Sequence, residues 1–453
     1  MGTMDINPLL IKLSVPMMVS MLVQALYNVV DSIFVSHVSE SALTAVSLAF
    51  SLQNVMIAVG VGTGVGVNAL LSKSLGEKNQ ERANKTAENG IFLSLCSYAV
   101  FLVIGLTCMK PYFYAQTSDM DIARQGIQYL QLCCVLSLGL FTQTMGEKLL
   151  AATGRTHLSM ISQLVGAVVN IVLDPIFIFG YCGEALSGTT GAAAATVIGQ
   201  FCGAGVSFYL NLRKNPDIQL DFKGFRPSAE AIKRIYVVGL PSIAMQCVGS
   251  VMTFLMNQIL MAFTATAVAV FGVYFKLQSF VFMPIFGMNN GMVPIISYNY
   301  GAKLTGRVRS AYKLLLALSL SYASLLWLGV MLAPQAFAAM FTSDPALIDF
   351  TKHALRIYMA CMFLFGIQMA CQMTFTSIGN AKASIIVAVT RKFILLLPLI
   401  YIMPHIFTAD QTPLFTWQNR LPIFWPSALQ VFCSGLNLRR RWRDRVEVIT
   451  GLN

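Results

Sequence analysis

The chain has 453 residues, of which 56% are apolar and only 11% are charged. Soluble globular domains carry about 25% charged residues, so this composition excludes a soluble globule and indicates a membrane protein. The formal net charge of +12 is also compatible with a nucleic-acid partner until the basic residues are placed along the chain.

Apolar runs of about 20 residues, the length that crosses the hydrocarbon as a helix, recur from end to end. Their Val, Ile, Leu, Phe and Met residues with embedded glycine favour helices over a membrane barrel, which would show segments of about 10 alternating residues. The fold class is therefore all-α and polytopic. The first run lacks a small-residue cleavage site, so we predict a span and not a removable signal peptide. The predicted spans are 13–36, 44–71, 91–109, 126–146, 158–180, 188–211, 235–262, 268–297, 311–333, 353–375 and 382–404, with a twelfth expected after 410.

Basic residues fall almost entirely in alternate loops between the predicted spans. One set of loops holds only Lys110, Arg124, Lys352 and Arg356. This distribution is the positive-inside pattern of membrane proteins. It predicts a cytoplasmic N-terminus. Because the basic residues lie in the loops on the cytoplasmic side of the lipid bilayer, the net charge is explained without a nucleic-acid partner. The predicted cytoplasmic set includes Lys12, Lys73, Lys78, Arg82, Lys148, Arg155, Arg213 and Lys214.

A phrase in the loop after the second predicted span occurs again in the second half of the chain. Residues 75–87 are LGEKNQERANKTA and residues 300–312 are YGAKLTGRVRSAY, with glycine, lysine and arginine in the same columns. The step from position 75 to position 300, which we call the repeat offset, also relates Pro16 to Pro241. Further pairs of identical residues have the same spacing, from the first span to the fifth. A constant offset over this length predicts two homologous halves of six spans each.

The even number of spans in each half fixes the predicted topology. Both halves enter and leave the membrane on the same side, so they are parallel and related by an axis along the membrane normal. This is the plan of some secondary transporters, whose substrate site lies between the halves. The predicted domains are an N-terminal six-helix lobe at 1–212, a cytoplasmic linker loop at 213–234 and a C-terminal lobe at 235–453.

Three long motifs carry a family resemblance. They are LSVPMMVSMLVQALYNVVDSIFVS at 13–36, AATGRTHLSMISQLVGAVVNIVLDPIFIFG at 151–180 and FKLQSFVFMPIFGMNNGMVPIISYNYGAK at 275–303. The chain resembles the multidrug and toxin extrusion (MATE) transporters, within their DinF-like bacterial and archaeal branch, over residues 5–404. The resemblance implies a V-shaped pair of six-helix lobes and an antiporter that exports small amphipathic, often cationic, compounds. It also implies H⁺ or Na⁺ as the coupling ion, and we expect no other cofactor.

The resemblance implies a coupling site inside the N-terminal lobe. In proton-coupled members of this branch, an aspartate of the first span and another late in the fifth form a cluster with nearby Asn and Tyr. The matching residues here are Tyr27, Asp31, Asn170 and Asp174. Another branch carries acids in spans seven and ten, where this chain has neutral residues, Asn257–Gln258 and Cys371–Gln372.

The residues around Asp31 point to the same chemistry without the family. Asp31 lies well inside the first predicted span, where a charge costs about 2.5–3.5 kcal/mol on insertion scales. Gln24, Tyr27 and Asn28 precede it by seven, four and three residues, so these polar groups share one helix face. The stripe is therefore a candidate site for a proton or a bound cation. The alternative is a hydrogen-bonded structural carboxylate.

Polar residues of the fifth and sixth predicted spans are the other candidates for this site. Asn170 and Asp174 are four residues apart and face the same way. Asp174 immediately precedes Pro175, so it is either an interfacial aspartate that satisfies loosened backbone or a partner of the Asp31 stripe. Thr196 is a further candidate, although threonines in membrane helices often bond their own backbone.

Two positions have both a functional and a structural interpretation. Pro16 removes a backbone hydrogen bond in the first span, so it either bends the helix in response to Asp31 or is a proline of the N-terminal turn without motion. Lys276 either snorkels to the interface or lines the central cavity. A lysine in the cavity would favour an anionic or zwitterionic substrate over a cationic one.

Polar residues of both halves are predicted to line the substrate cavity. No metal site is predicted, because the 10 cysteines and 4 histidines form no CxxC or HExxH pattern. A membrane-embedded enzyme is a remote alternative, since no nucleophile elbow or paired His/Asp set is present. A lipid-linked saccharide flippase is a closer alternative, and it is expected to have a more basic cavity. The predicted cavity residues are Gln24, Gln143, Asn257, Lys276, Gln278 and Gln368.

The resemblance ends abruptly after His405. The repeat predicts a twelfth span at 411–436, but Pro413, Pro422 and Pro426 lie there, and each removes a helix hydrogen bond that lipid cannot replace. We therefore expect an atypical end, for which a reading-frame change is one hypothesis. The expected protein is a monomeric, multi-pass transporter of the bacterial inner (cytoplasmic) membrane that binds a small-molecule substrate.

Overall fold

The structure is a computed structural model. It describes residues 1–36, 38–181, 187–221, 225–261, 265–339 and 365–379, together with positions 348, 352, 355 and 356. The helices around 248–281 are described without their side chains. The predicted eleventh and twelfth spans, and the atypical end after 405, lie outside the described residues.

Helices form all the regular secondary structure of the described residues. In chain order they are α1 (Ile6–Ser36), α2 (Glu40–Gly76), α3 (Gln80–Thr107), α4 (Met109–Tyr114), α5 (Met120–Val135), α6 (Leu138–Ala152), α7 (Thr156–Ile178), α8 (Gly188–Lys214), α9 (Ala229–Met261), α10 (Ala265–Gly301), α11 (Thr305–Leu332), α12 (Pro334–Ala339) and α13 (Phe365–Ile378). The all-α fold class is confirmed.

Polar residues in short turns set where the first helices begin. Ser39 caps α2, because its Oγ accepts a hydrogen bond from the Ala42 N–H at 3.0 Å. Asn79 caps α3 by accepting from the Arg82 N–H at 2.9 Å. Each cap satisfies a donor of the first helical turn that has no partner within the helix. These helices therefore begin several residues before the predicted spans.

Six of the described helices are long and apolar enough to cross a membrane, and a bent pair adds a seventh. The pair is α5 and α6, which meet at 48° and together replace the fourth predicted span. Helix α6 continues beyond the predicted span end at 146, to Ala152. Lys148, predicted in a cytoplasmic loop, therefore lies inside a helix and is only 5% exposed.

Glycines bring α7 and α8 close together. A Cβ atom on Gly199 of α8 would lie 2.7 Å from the carbonyl oxygen of Gly166 in α7 and 3.1 Å from the Cβ of Asn170. Small residues allow this backbone approach in membrane helices. The polar side chains of the two helices thus come within hydrogen-bonding distance of one another.

The fold divides into two compact units. The first comprises Met1–Ser250, Phe286–Leu304 and Ser377–Gly379, and the second contains the described parts of the remainder. Helices α9 and α10 therefore each contribute one end to the first unit.

Within the first unit, α1 and α2 pack against those ends of α9 and α10 through glycines, and we call this contact the glycine seam. Each contact occurs twice, at positions related by the repeat offset. Gly62 faces Ile243, and its repeat mate Gly287 faces Met18. The other reciprocal contacts are Gly66 with Gly239, Gly291 with Ser14, Gly76 with Tyr298 and Gly301 with Lys73.

The linker after α8 is fastened to α3 by side-chain hydrogen bonds. Gln80, Asn84 and Glu88 are each about one helical turn apart and share one face of α3, and Asn89 is adjacent to Glu88. Most of the linker partners are backbone groups, which would otherwise need water or regular secondary structure. The pairs are Gln80 with Asp217, Asn84 with Gln219, Glu88 with Asp221 and Asn89 with Ser228.

The described part of the second unit packs α11 against α13. A Cβ atom on Gly366 would lie 2.5 Å from the carbonyl oxygen of Ser319, so glycine again permits a close backbone approach. Elsewhere along the same pair of helices, the Tyr312 hydroxyl lies 3.3 Å from the Cys371 sulfur. Cys371 is one of the neutral residues noted above for the tenth predicted span.

Candidate functional site

The polar stripe of α1 lies beside α7. Gln24 Oε1 accepts a hydrogen bond from Gln163 Nε2 of α7 at 3.2 Å. One turn further along α1, Tyr27 is close enough to Asp31 and Asp174 to interact with both electrostatically. Asp31 Oδ1 is buried and has no hydrogen-bond partner among the described residues. The structure therefore brings the stripe and the fifth-span residues into one region.

Asn170, Asp174 and Thr196 form a hydrogen-bonded cluster between α7 and α8. Asn170 Nδ2 donates to Asp174 Oδ1 at 3.2 Å and lies 3.4 Å from Thr196 Oγ1. Asp174 is fully buried, with 0% exposure. Asp174 is therefore enclosed by protein, and α7 continues past Pro175 to Ile178.

Three buried oxygens of this region have no partner in the part of the chain that the structure describes. They belong to Asp31 (Oδ1), Asn170 (Oδ1) and Asp174 (Oδ2). Asp31 and Asp174 also interact electrostatically with each other. Two carboxyl groups in one apolar site cannot both carry charge cheaply, so a proton or a bound cation would stabilise the pair. Unpaired oxygens are the atoms that such an ion would use.

A third acid of the same lobe, Glu147, was not predicted from the sequence. Glu147 of α6 accepts a hydrogen bond at Oε1 from Gln143 Nε2, at 3.0 Å, and interacts electrostatically with Tyr27. Asp31 and Asp174 are therefore not the only carboxylates within the helices of this lobe. The adjacent Glu–Lys pair in the apolar run TMGEKLLAA was the available signal, but the span was predicted to end before it.

Gln143, a predicted cavity residue, lies at a junction of three helices. It belongs to α6, and its amide packs against Gly203 of α8 and Gly166 of α7. A Cβ atom on Gly203 would lie 2.5 Å from Gln143 Nε2, so glycine leaves room for this side chain. The amide in turn holds the Glu147 carboxylate.

Pro16 lies within α1 and not before it. Its neighbours contact α10, since Ser14 Oγ donates to the carbonyl oxygen of Met288 at 3.2 Å. Pro16 therefore lies at the same level of α1 as the glycine seam, several turns from Asp31. The remaining predicted residues lie outside the side chains that the structure describes, namely Asn28, Asn257, Lys276, Gln278 and Gln368.

Comparison with known proteins places the chain in a family. The MatE family profile matches residues 16–176 and 241–402. The starts of the two matches, positions 16 and 241, are related by the repeat offset, which confirms the two homologous halves.

Individual relatives and a solved structure agree with this profile. The chain is 24% identical over 396 residues to the multidrug export protein MepA of Staphylococcus haemolyticus, covering 87% of this chain and 86% of that protein. It is 26% identical over 408 residues to the probable multidrug resistance protein NorM of Thermotoga maritima, covering 89% and 87%. The solved outward-facing conformation of a multidrug resistance MATE family transporter matches it with a TM-score of 0.89 at 25% identity, covering 99% and 98%. The chain thus belongs to the MatE family of multi-pass membrane transporters, which are not enzymes.

Proposed function

We propose that this chain is a cation-coupled antiporter that exports small amphipathic compounds by alternating access. The export activity is inferred from relatives that are a multidrug export protein and a probable multidrug resistance protein. The orientation of the chain follows from the positive-inside pattern, which favours a cytoplasmic N-terminus in the inner membrane of a bacterium. We expect the chain to work as a monomer.

The observation that carries the coupling proposal is the set of oxygens on Asp31, Asn170 and Asp174 that lack a partner among the described residues. An intramembrane carboxylate needs a proton, a cation or a hydrogen-bond donor to offset its charge. Only Asn170 supplies a donor to Asp174 in the described residues. The site is therefore suited to bind H⁺ or Na⁺ on one side of the membrane and release it on the other, while substrate moves the opposite way.

Residues near this site are proposed to contact the substrate. Gln24 and Gln143, both predicted to line the substrate cavity, belong to helices that carry, or pack against, the proposed coupling residues. A lipid-linked saccharide flippase remains the alternative, but it rests on Lys276, whose side chain is outside the described residues. The drug-export names of the relatives favour the antiporter.

The test is dye uptake into everted vesicles under an imposed proton or sodium gradient, because their cytoplasmic face is outside and uptake therefore reports efflux from the cytoplasm. Asp31→Asn and Asp174→Asn remove the charge and keep the shape, so each is expected to lower gradient-driven ethidium efflux by about tenfold or more. Asp121→Asn is the matched control, because Asp121 is an exposed aspartate at the start of α5. It is expected to leave efflux unchanged.

The gradients separate the two candidate ions. Efflux that follows the proton gradient in sodium-free buffer identifies H⁺, and efflux that requires a sodium gradient at constant pH identifies Na⁺. Undiminished coupled efflux in both Asp31→Asn and Asp174→Asn would refute the coupling site. Absence of transport of any dye by the wild type, together with movement of a lipid-linked saccharide, would favour the flippase.

A further inference from the structure

Lys148 is a buried cation with no assigned role. It lies in α6 and is 5% exposed. Its side chain passes over α2 at Gly64, where a Cβ atom would lie only 2.7 Å from Lys148 Cγ. A lysine inside a membrane span is costly unless its charge is compensated, so its partner matters.

The partner of the Lys148 ammonium is an amide on a distant helix. Lys148 Nζ donates to Asn290 Oδ1 of α10 at 3.3 Å, across 142 positions of sequence. Asn290 is itself buried, with 6% exposure. The neighbouring Glu147 interacts with Lys148 electrostatically, but its carboxylate accepts its hydrogen bond from Gln143. Lys148 takes part in none of the ion pairs within 4.0 Å found among the described residues.

The contact with Asn290 lies on the turn of α10 that forms the glycine seam. Gly287 and Gly291 of this turn approach the α1 backbone at Met18 and Ser14. Ser14 Oγ also donates to the carbonyl oxygen of Met288 at 3.2 Å. One turn of α10 is thus held to α1 by backbone packing and to α6 by a single charged side chain.

We propose that Lys148 is a positioning residue for transport, whose ammonium latches α10 to α6 and must leave Asn290 whenever α10 separates from the N-terminal helices. The inference rests on the proposed alternating access, because only a transporter that changes state has to break this contact. The ammonium that loses Asn290 is left beside Glu147. The adjacent carboxylate therefore limits the cost of the separated state.

The latch is confined to one half of the repeat. The repeat offset carries Lys148 to Met373 and Asn290 to Val65, and these two residues cannot form the same contact. The glycine contacts occur twice, so they resist separation in both halves alike. The Lys148 contact adds a hydrogen bond from a charged donor in one place, and such bonds are stronger than neutral ones.

The experiment measures how often the seam opens. Ser14 is buried, with 3% exposure, so a cysteine introduced by Ser14→Cys reacts with a thiol reagent only when the seam parts. Labelling rates are measured in detergent. Because the chain has 10 native cysteines, each variant is also labelled with Ser14 retained, and this background rate is subtracted. Lys148→Met and Asn290→Leu are each expected to raise the rate about tenfold, the effect of losing one hydrogen bond to a charged group. The double variant is expected to add little more.

Two further variants distinguish a latch from a merely structural lysine. Lys148→Arg keeps the charge and is expected to keep labelling slow. Asn290→Asp turns the amide into a carboxylate, so the latch becomes an ion pair, labelling slows further and dye efflux falls. When Lys148→Met is also present, Asn290→Asp is expected not to slow labelling, because the ammonium that would pair with the new carboxylate is gone.

A matched control uses another buried amide that contacts α6. Asn211 Nδ2 of α8 donates to the carbonyl oxygen of Gly146 at 2.9 Å, so Asn211→Ala is expected to lower thermal stability without faster labelling. Unchanged labelling in Lys148→Met, or equal acceleration in Asn211→Ala, would overturn the proposal. Labelling needs no gradient, so the latch is measured independently of transport. Failure of dye efflux in the wild type would refute the proposed transport without deciding the labelling result.

Discussion

The contacts of the glycine seam occur in both halves of the repeat, whereas the three buried acids occur in only one half. The seam repeats at the repeat offset, and its contacts are reciprocal, so that Gly66 faces α9 as Gly291 faces α1. The acids do not repeat. At the same offset, Asp31, Glu147 and Asp174 correspond to Met256, Gln372 and Leu399.

This difference separates what the two halves share from what only one of them does. Two homologous helix pairs that pack against each other need the same small residues on both sides, so backbone packing preserves the repeat. A buried carboxylate is costly wherever it is placed, and the proposed antiport needs only one coupling site. The second half therefore lacks these charges and keeps the packing surface.

The largest expected effect comes from breaking the seam. In Gly66→Ala, the new Cβ would lie against the Ile235 carbonyl oxygen, and in Gly291→Ala it would lie 2.6 Å from Ser14 Cα. Backbone cannot move aside as a flexible side chain can, so each substitution is expected to cost about 3 kcal/mol or more. Thermal unfolding of the detergent-solubilised protein measures this as a large fall in midpoint and a low folded yield.

The symmetry of the seam supplies the sharper half of this test. The two substitutions are expected to have similar effects, because the contacts are repeat mates. Gly205→Ala is the control, since a Cβ there meets nothing within 4 Å, and it is expected to be neutral or to stabilise α8 by about 0.5–1 kcal/mol. A large loss in only one of the repeat mates would contradict the symmetric seam.

Much of this comparison was visible in the sequence. The repeat offset predicted the two halves, and the carboxylate of Asp31 in an apolar run predicted a coupling site. Neither prediction depends on knowing where a helix begins or ends. Glu147 and Lys148 were missed, since a charged pair next to a predicted loop is the usual sign of a span end. In fact α6 continues through them to Ala152. The Lys148–Asn290 contact could not be predicted, because no local pattern relates residues 142 positions apart.

A smaller effect is expected when a residue of the first half is replaced by its repeat counterpart. Asn170 corresponds to Leu395, and its amide is the only hydrogen-bond donor to Asp174 among the described residues. Asn170→Leu leaves the Asp174 carboxyl without that donor, so coupled dye efflux is expected to fall about tenfold. Thr196→Val removes a longer, 3.4 Å contact and is expected to cost about twofold.

The matched variant for this prediction is Thr196→Ser, which keeps the hydroxyl and is expected to retain efflux. Protein amount and thermal midpoint are measured for each variant, so that loss of folding is separated from loss of coupling. Wild-type efflux in Asn170→Leu would mean that the amide is structural and that the asymmetry between the halves has another cause.

The smallest effect is expected at two prolines that occupy equivalent positions in the two halves. Pro16 and its repeat mate Pro241 both lie inside helices of the first unit. Alanine at either position restores one backbone donor, and each helix already accommodates the ring, so efflux is expected to change by no more than about twofold in Pro16→Ala and in Pro241→Ala. If Pro16 instead transmits the state of Asp31, only Pro16→Ala would slow gradient-driven efflux, because Pro241 has no acid in the corresponding place. Initial efflux rates of the two variants, compared at equal protein amount, decide whether the first span is asymmetric in its motion as well as in its charge.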